Sequence, residues 1–437
     1  MTLNYIWIGF FLLAFLTATL KLLSYFFRDL LLQFGYHANP DDLMVFSNIV
    51  QSTFDMATTS VTISIGLIGA MALWLGIMKI GEDGGAINVL SRVIGPFFQQ
   101  LFPEVPKNHP ALGSMLMNFS ANMLGLDNAA TPLGLKAMKE LQTLNPKPDT
   151  ATNAQIMFLV LNASGLTIIP VSIMAIRAAN GSANPSEVFI PILITTYCAT
   201  IAGLISVAFY QKINLFKPIV LSYLVGGTLA IACLIWYFVG LPQEQIGKTS
   251  SIIGNGIIFS IIIAFILLAL KKGINIFESF IEGAKNGFEV AIKIIPYLVA
   301  MLVAIGVFRA SGAMDILMDL IRNIFLGMNH ILLSIGTEYI IDVKFVEALP
   351  VAIMKPLSGS GARGLMVDAM KTYGTDSFIG NLSATLQGAT ETTFYVLAVY
   401  YGAVSVKRSR HTVACALIAD IVGVIAGIIV AYLFFTK

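Results

Sequence analysis

The sequence predicts an all-α polytopic membrane protein, and three observations carry that prediction. Mean hydropathy is +0.83. Only 11% of the residues are charged, where soluble domains carry about 25%. Apolar stretches long enough to cross a bilayer recur along the chain with short polar links between them, which leaves no room for a soluble domain. The net charge of +2 comes from nearly balanced totals, so nucleic acid is not an expected partner and basic residues serve mainly to report topology. Cys198, Cys233 and Cys415 lie in apolar runs, and His37, His109, His330 and His411 are scattered near segment ends. Neither set has ligand spacing, so no metal site and no cofactor are expected.

In chain order, residues 3–27 are largely apolar with Trp7 and Tyr25 near their ends, a tilted span retained as a membrane anchor because it lacks a basic leader and a small-residue cleavage pattern. A polar link around 35–42 follows. Asp55, Thr58, Thr59, Ser60 and Thr62 then lead into a span at 61–78. Residues 85–102 place apolar side chains at helical spacing around Ser91, Arg92 and Gln99-Gln100, the pattern of an interfacial amphipathic helix. After Pro103, Pro106 and Pro110, the stretch to Leu141 is apolar enough to enter the bilayer but is interrupted by Gly125 and Pro132, which predicts a re-entrant hairpin. Its polar members are Asn118, Ser120, Asn122, Asp127, Asn128 and Thr131. Irregular backbone at that depth requires protein or a wet cavity around it.

Residues 136–149 read as a charged loop, and 152–176 as a span whose first part carries Asn153, Gln155, Asn162, Ser164, Gly165 and Thr167 before Pro170. Plain spans are expected at 188–210, 219–239 and 252–270. An amphipathic stretch at 274–288 feeds a span at 290–308, and 311–325 repeats the amphipathic theme. Residues 332–345, with Glu338 and Asp342, have no assignment. A glycine- and serine-rich piece at 346–370 precedes a half-polar span at 382–401, whose apolar second half reads as a helix, and 412–435 is the last span. In the half-polar span, Glu391 stands among Gln387, Thr390, Thr392 and Thr393. An acidic side chain at mid-bilayer costs roughly 2.5–3.5 kcal/mol, so Glu391 is expected to face protein, water or a bound cation.

The chain also echoes itself. GGAINVLSRVI at 84–94 resembles SGAMDILMDLI at 311–321, and 159–176 lines up near 382–399 in a register that sets Asn162 against Gln387, Leu166 against Glu391, Thr167 against Thr392 and Val171 against Val396. Placing the basic loops at 136–147, 212–217, 271–272 and 407–410 on the cytoplasmic side makes the two halves inverted, the plan in which paired interrupted segments build a transport site.

Three long passages are specific enough to name a resemblance: MKIGEDGGAINVLSRVIGPFFQQLF with its continuation through LGLDNAATPLGLKAMKELQ, then EGAKNGFEVAIKIIPYLVAMLVAIGVFRASGAMD with KPLSGSGARG, and LQGATETTFYVLAVYYGAVSVKRSRH. They resemble the bacterial spore maturation proteins, A in the first half and B in the second, of the nucleoside-recognition or gate-domain superfamily. The resemblance implies two gate-domain repeats of inverted topology with broken helices, in a multi-pass protein of the bacterial cytoplasmic membrane. It divides the chain into an N-terminal helix and link at 1–56, a first gate domain at 57–211, connector helices at 212–273 and a second gate domain at 274–437. Gate-domain relatives also imply a homo-oligomer.

The expected function is secondary transport of a small polar solute, nucleoside-like or other, across the lipid bilayer. Its mid-membrane site would draw Asn118, Asn122, Asp127 and Asn128 from the first hairpin, Asn162, Ser164 and Thr167 from the first half-polar span, Ser358 and Ser360 from the second hairpin, and Gln387, Thr390, Glu391, Thr392 and Thr393 from the second. Glu391 is the expected partner of a coupling Na+ or H+, and the glycines of Ser358-Gly359-Ser360-Gly361 would let backbone amides approach an anionic or carbonyl group. Asp420 is a lone acid in the last span. The alternative is a non-transporting scaffold tied to envelope or spore maturation. An enzyme is not expected, because no P-loop, HExxH or nucleophile–base pair is present.

Overall fold

The computed structural model describes residues 2–35, 37, 39–334 and 340–436, with the side chains of 2, 3, 127–129 and 243 outside that description. Glu338 therefore lies outside the described residues. Helices dominate, and eight of them are long and apolar enough to cross a membrane among the described residues. The chain begins with α1 (Thr2–Phe26), the short α2 (Arg28–Leu32), α3 (Val45–Gly84) and α4 (Ala86–Leu101). A hairpin of α5 (Pro110–Met123) and α6 (Asp127–Gln142) follows, then a broken helix of α7 (Asn153–Ser164) and α8 (Val171–Ala179), then α9 (Phe189–Gln211). After α10 (Pro218–Val239) and α11 (Gln243–Lys271), the same order recurs: α12 (Ile276–Ala310), α13 (Ala313–Ser334), a hairpin of α14 (Leu349–Met354) and α15 (Gly359–Tyr373), a broken helix of α16 (Phe378–Gly388) and α17 (Thr393–Gly402), and α18 (Thr412–Phe435).

Local chemistry explains the boundaries. Gly85 at φ +87° ends α3, a conformation that costs a glycine least. Pro110 opens α5 while the His109 ring accepts the Ala111 amide, Thr152 and Gln155 form a capping box on α7, and Ser358 and Ser377 cap α15 and α16. Gly165 at φ +62° closes α7.

Several expectations need correction. The polar stretch before residue 61 does not end a helix: α3 runs unbroken for 40 residues, because Ser60 and Thr62 turn their hydroxyls back onto the Met56 and Thr58 carbonyls. The stretches at 274–288 and 290–308 fuse into one 35-residue α12 with Pro296 inside it. The loop expected from 136 begins later, since α6 continues to Gln142 with Lys136 and Glu140 paired one turn apart and Pro132 inside the helix. The spans expected at 152–176 and 382–401 are each two half-helices, interrupted at 165–170 and 389–392. The breaks differ in length, so the residue pairing shifts across them: Thr392 precedes its second half-helix as Pro170 does, not as Thr167 does.

The longest contact joins α3 to α12, and glycine makes it possible. A Cβ on Gly287 would stand 2.5 Å from the Met71 carbonyl oxygen and 2.7 Å from the Ala72 nitrogen, and one on Gly283 would strike the Leu75 carbonyl. Backbones that approach this closely gain dispersion contacts and need small residues. Gly203 and Gly423 do the same for α9 and α18, against Ala419 and Ala199. The N-terminal α1 is mostly exposed and leans on α12 through Phe10 against Phe308 and the Trp7 indole N–H to the Ala300 carbonyl.

The two ends of the bundle are tied across the halves. At one end the amides of Lys407 and Arg408 donate to the Asp149 carbonyl and the Ala151 amide donates to the Arg408 carbonyl, and the Arg410 guanidinium donates to the Ala151 carbonyl. His411 stacks on Tyr210 there, and burial, with Arg410 second, lowers its pKa. At the other end Arg177, fully buried, donates to Asp376 at 2.9 Å and to the Thr375 carbonyl. Asp376 also accepts from Ser182 and the Ala183 amide. The α5–α6 hairpin opens at the first end, where Gln142 accepts from Gln155. The α14–α15 hairpin opens at the second, where Thr375 donates to the Asn180 carbonyl.

Gly287→Leu is expected to separate α3 from α12 and destabilise the protein by about 1–3 kcal/mol, the usual range for overpacking. Thermal unfolding of the purified protein in detergent checks this against Gly226→Leu, where an added Cβ meets nothing within 4 Å; equal midpoints for the two variants would contradict it.

Candidate functional site

A helix that stops inside the bilayer leaves amides and carbonyls that lipid cannot satisfy, so the breaks must find partners in the protein. They find one another. In the first half the Ile168 amide donates to the Met123 carbonyl at 2.7 Å, which docks the first break on the turn of the α5–α6 hairpin. In the second the Phe394 amide donates to the Pro356 carbonyl at 3.0 Å, which docks the second break on the turn of the α14–α15 hairpin. Between the halves the Glu391 amide donates to the Ala163 carbonyl at 2.8 Å. Gly165 and Gly125 make room: a Cβ on Gly165 would meet the Glu391 nitrogen at 3.0 Å, and one on Gly125 would meet the Ile169 carbonyl at 2.6 Å.

Two adjoining cavities lie at this meeting point. One, about 110 Å³, is bounded by both breaks and by Asn122, Lys355, Arg363 and Gln387. A second, about 180 Å³, lies between Thr131, Asn162, Tyr395 and Tyr400. Asn122 and Glu391 border both. Glu391 is thus a carboxyl group that faces the open space, as a costly acidic side chain at membrane depth must face space or a partner.

The structure gathers some of the expected residues here and assigns others elsewhere. Asn122, Thr167, Gln387, Thr390 and Glu391 line the first cavity, and Asn162 lines the second, where Asn122 donates to its side-chain oxygen at 2.7 Å. Thr167 also closes the first break locally, its hydroxyl donating to the Gly165 carbonyl. Gln387 donates to the Gly359 carbonyl at 3.4 Å, and its Oε1 has no hydrogen-bond partner among the described residues.

Asn118 is buried against the Ala130 carbonyl at 2.7 Å and holds the hairpin together, and Ser164 donates back to the Leu161 carbonyl. Neither lines a cavity described above. Thr393, the first residue of α17, donates to Asp420 Oδ2 at 2.7 Å. Asp127 and Asn128 begin α6, and their side chains lie outside the described residues.

The Ser358-Gly359-Ser360-Gly361 segment is less open than expected. The Ser358 hydroxyl accepts the Gly361 amide as a helix cap, and Gly359 is needed because a Cβ there would stand 2.6 Å from Thr392 Oγ1. Ser360 instead lines a third cavity of about 280 Å³ beside Tyr297, Arg363 and Tyr395.

Sequence reasoning missed Lys355 and Arg363, and it left Asp420 without a role. Both basic residues belong to KPLSGSGARG, whose serines and glycines drew attention while its charges did not. The usable signal was two cations flanking a helix break between apolar segments. Lys355 is 8% exposed and Asp420 is 4% exposed. The buried acid of the last span faces the start of α17, just past the second break, through Thr393.

A family model described as "Gate: Nucleoside recognition" matches residues 64–180, which includes the first hairpin and the first broken helix. The chain is similar to spore maturation protein B of Bacillus subtilis (strain 168), 47% identical over 177 residues that cover 40% of this chain and 91% of that protein. It is also similar to spore maturation protein A of the same organism, 40% identical over 158 residues that cover 36% of this chain and 81% of that protein. No solved structure matches it. Two separate proteins, each matched over most of its length, account for different shares of one helical membrane chain in the manner of a fusion, and the chain belongs to the spore maturation protein family.

Proposed function

We propose that this protein is a secondary transporter for a small polar solute, with its site where the two broken helices meet. The observation that carries the reading is the contact between the broken helices of the two halves, Glu391 amide to Ala163 carbonyl, beside cavities lined by amides, hydroxyls, basic side chains and one carboxyl group. Discontinuous helices that bring open backbone to mid-membrane are the usual construction of a transport site. The hairpins open at opposite ends of the bundle, which supports the inverted arrangement. With the basic residues near 136–147, 212–217 and 407–410 on the cytoplasmic side of the inner membrane, α5–α6 enters from the cytoplasm and α14–α15 from outside. Glu391 serves as the coupling group for Na+ or H+, and no cofactor or catalytic step enters the reading. The nucleoside-recognition description of the matching family model fits a polar solute site without fixing the solute.

The second reading is a scaffold in spore or envelope maturation, which the printed names of the relatives favour. It gives no reason for costly polar groups gathered around a space at membrane depth.

Glu391→Gln is expected to abolish solute or cation flux in proteoliposomes while the purified variant unfolds at the parent temperature; undiminished flux would remove Glu391 from coupling. The transported solute is expected to stabilise the folded protein by about 2.7 kcal/mol at a hundredfold excess over its Kd. A thermal-unfolding screen of nucleosides, amino acids and organic ions measures this, and a screen without shifts, together with liposomes that show no flux, favours the scaffold.

A further inference from the structure

We propose that the third cavity is the mouth through which a water-borne solute reaches the central site, with Tyr395 as the partition between them; this rests on the reading of the two central cavities as a solute site. The third cavity, about 280 Å³, lies on the flank of the bundle between α12, α15 and α17, beside Tyr297, Ser360 and Tyr395. Arg363 borders both it and the first cavity, and Tyr395 borders both it and the second. Single side chains therefore separate the flank from the central space. Tyr395 stands one turn on from Glu391, and it is 62% exposed although its helix starts at the second break.

A polar stripe leads to this cavity along α12. Glu282, Asn286, Glu289, Lys293 and Tyr297 recur every three or four residues, which sets them on one helical face, and all five are exposed. A different side of the helix, with Gly283 and Gly287, lies against α3. Glu282 begins the stripe at 3.7 Å from Lys79, and Glu289 and Lys293 pair at 3.5 Å within it. From Glu282 to Tyr297 the stripe rises about 22 Å along the helix axis. There it stops: Ala304, the next residue in register, is buried, and Met301 and Ile305 pack on Gly361 and Gly364 of α15. The polar face reaches as far as the cavity and no farther.

Exposure on a membrane helix is exposure to lipid or to water, and charge decides which. Ionised side chains inside a span face protein or a water-filled crevice, because hydrocarbon is costly for them. Lys293 lies inside the apolar stretch 290–308, and Tyr297 lies one turn deeper. The face they share is therefore wet up to the third cavity. Its source follows from the connectivity. The helices α10 and α11 cross and return, so α12 begins at the end of the bundle that carries 212–217, the cytoplasmic end in the topology proposed above. Water that follows the stripe comes from that side, and the solute comes with it.

Cysteine labelling of the full chain in inverted membrane vesicles tests this, with Cys198, Cys233 and Cys415 replaced by alanine and a small charged thiosulfonate that does not cross the bilayer. A thiol reacts as the thiolate, which water favours and lipid suppresses, so Lys293→Cys and Tyr297→Cys are expected to label about tenfold faster than Ile292→Cys. Ile292 is the control because it is 45% exposed at the same depth on another face of α12. Tyr395→Ala is expected to speed the labelling of Asn162→Cys, in the second cavity, by a similar factor. If the alanine background fails to fold, the same cysteines are placed in the parent chain and read above its own labelling. Equal rates at 292 and 297 overturn the mouth. So does labelling at 293 alone, the result for a lysine that reaches back to the headgroups while Tyr297 sits in lipid. An Asn162→Cys rate that Tyr395→Ala leaves unchanged overturns the partition. The flux of the parent protein in liposomes judges the solute-site reading separately.

Discussion

The hydrogen bond from the Glu391 amide to the Ala163 carbonyl is the contact on which the centre of this protein depends. Lipid offers no partner for an open peptide group, so a helix interrupted at membrane depth is stable only if another piece of backbone completes it. Here each break is completed twice, once by the hairpin of its own half and once by the opposite break. Remove the meeting of 389–392 with 163–165 and both interruptions lose a neighbour together. The polar side chains then follow from the backbone. Asn122 and Asn162 bond to each other across the first hairpin and first broken helix, and Gln387 reaches the turn of the second hairpin, because the breaks have already brought those elements together.

Glycine sets how close the approach can be. Gly125, Gly165 and Gly359 each stand where a Cβ would press on the backbone or hydroxyl of a neighbouring break, and Gly283 and Gly287 do the same along α3 and α12. The first group surrounds the cavities and the second holds the long helices that flank them. With no hydrophobic force between helices in lipid, association leans on such packing and on interhelical hydrogen bonds. The buried Asp420 adds a hydrogen-bonded tie from the last span to the same centre through Thr393.

Much of this was legible in the sequence. The span at 412–435 and the amphipathic helix at 85–102 match α18 and α4 within a residue or so, because uniform apolar runs and helical spacing leave little choice. The first hairpin was legible from its prolines and Gly125. The first break carries Gly165 and Pro170, but the second has no proline or glycine between 389 and 392, and its apolar continuation reads as an ordinary helix. Its interruption comes from tertiary partners, the Pro356 and Ala163 carbonyls, which no local pattern announces. The length of α3 was hidden for the opposite reason: serine and threonine hydroxyls that suggest a polar edge are absorbed by the turn before them. Lys355 and Arg363 escaped notice because basic residues near glycine and proline resemble a loop until the fold places them beside Glu391 and Asp420.

The ties at the two ends of the bundle bear on how such a molecule can move. The Asp149–Arg408 pairing fastens the start of α7 to the end of α17, and Arg177 with Asp376 fastens the end of α8 to the start of α16. The two broken helices are therefore pinned to each other at both tips and at their midpoints. Three fastenings hold the two side by side and antiparallel, which resists sliding of one along the other. The cavities at the centre are thus walled by a pair of broken helices held to each other at three levels, so the register between the two halves is fixed by these ties rather than by the polar side chains that line the space.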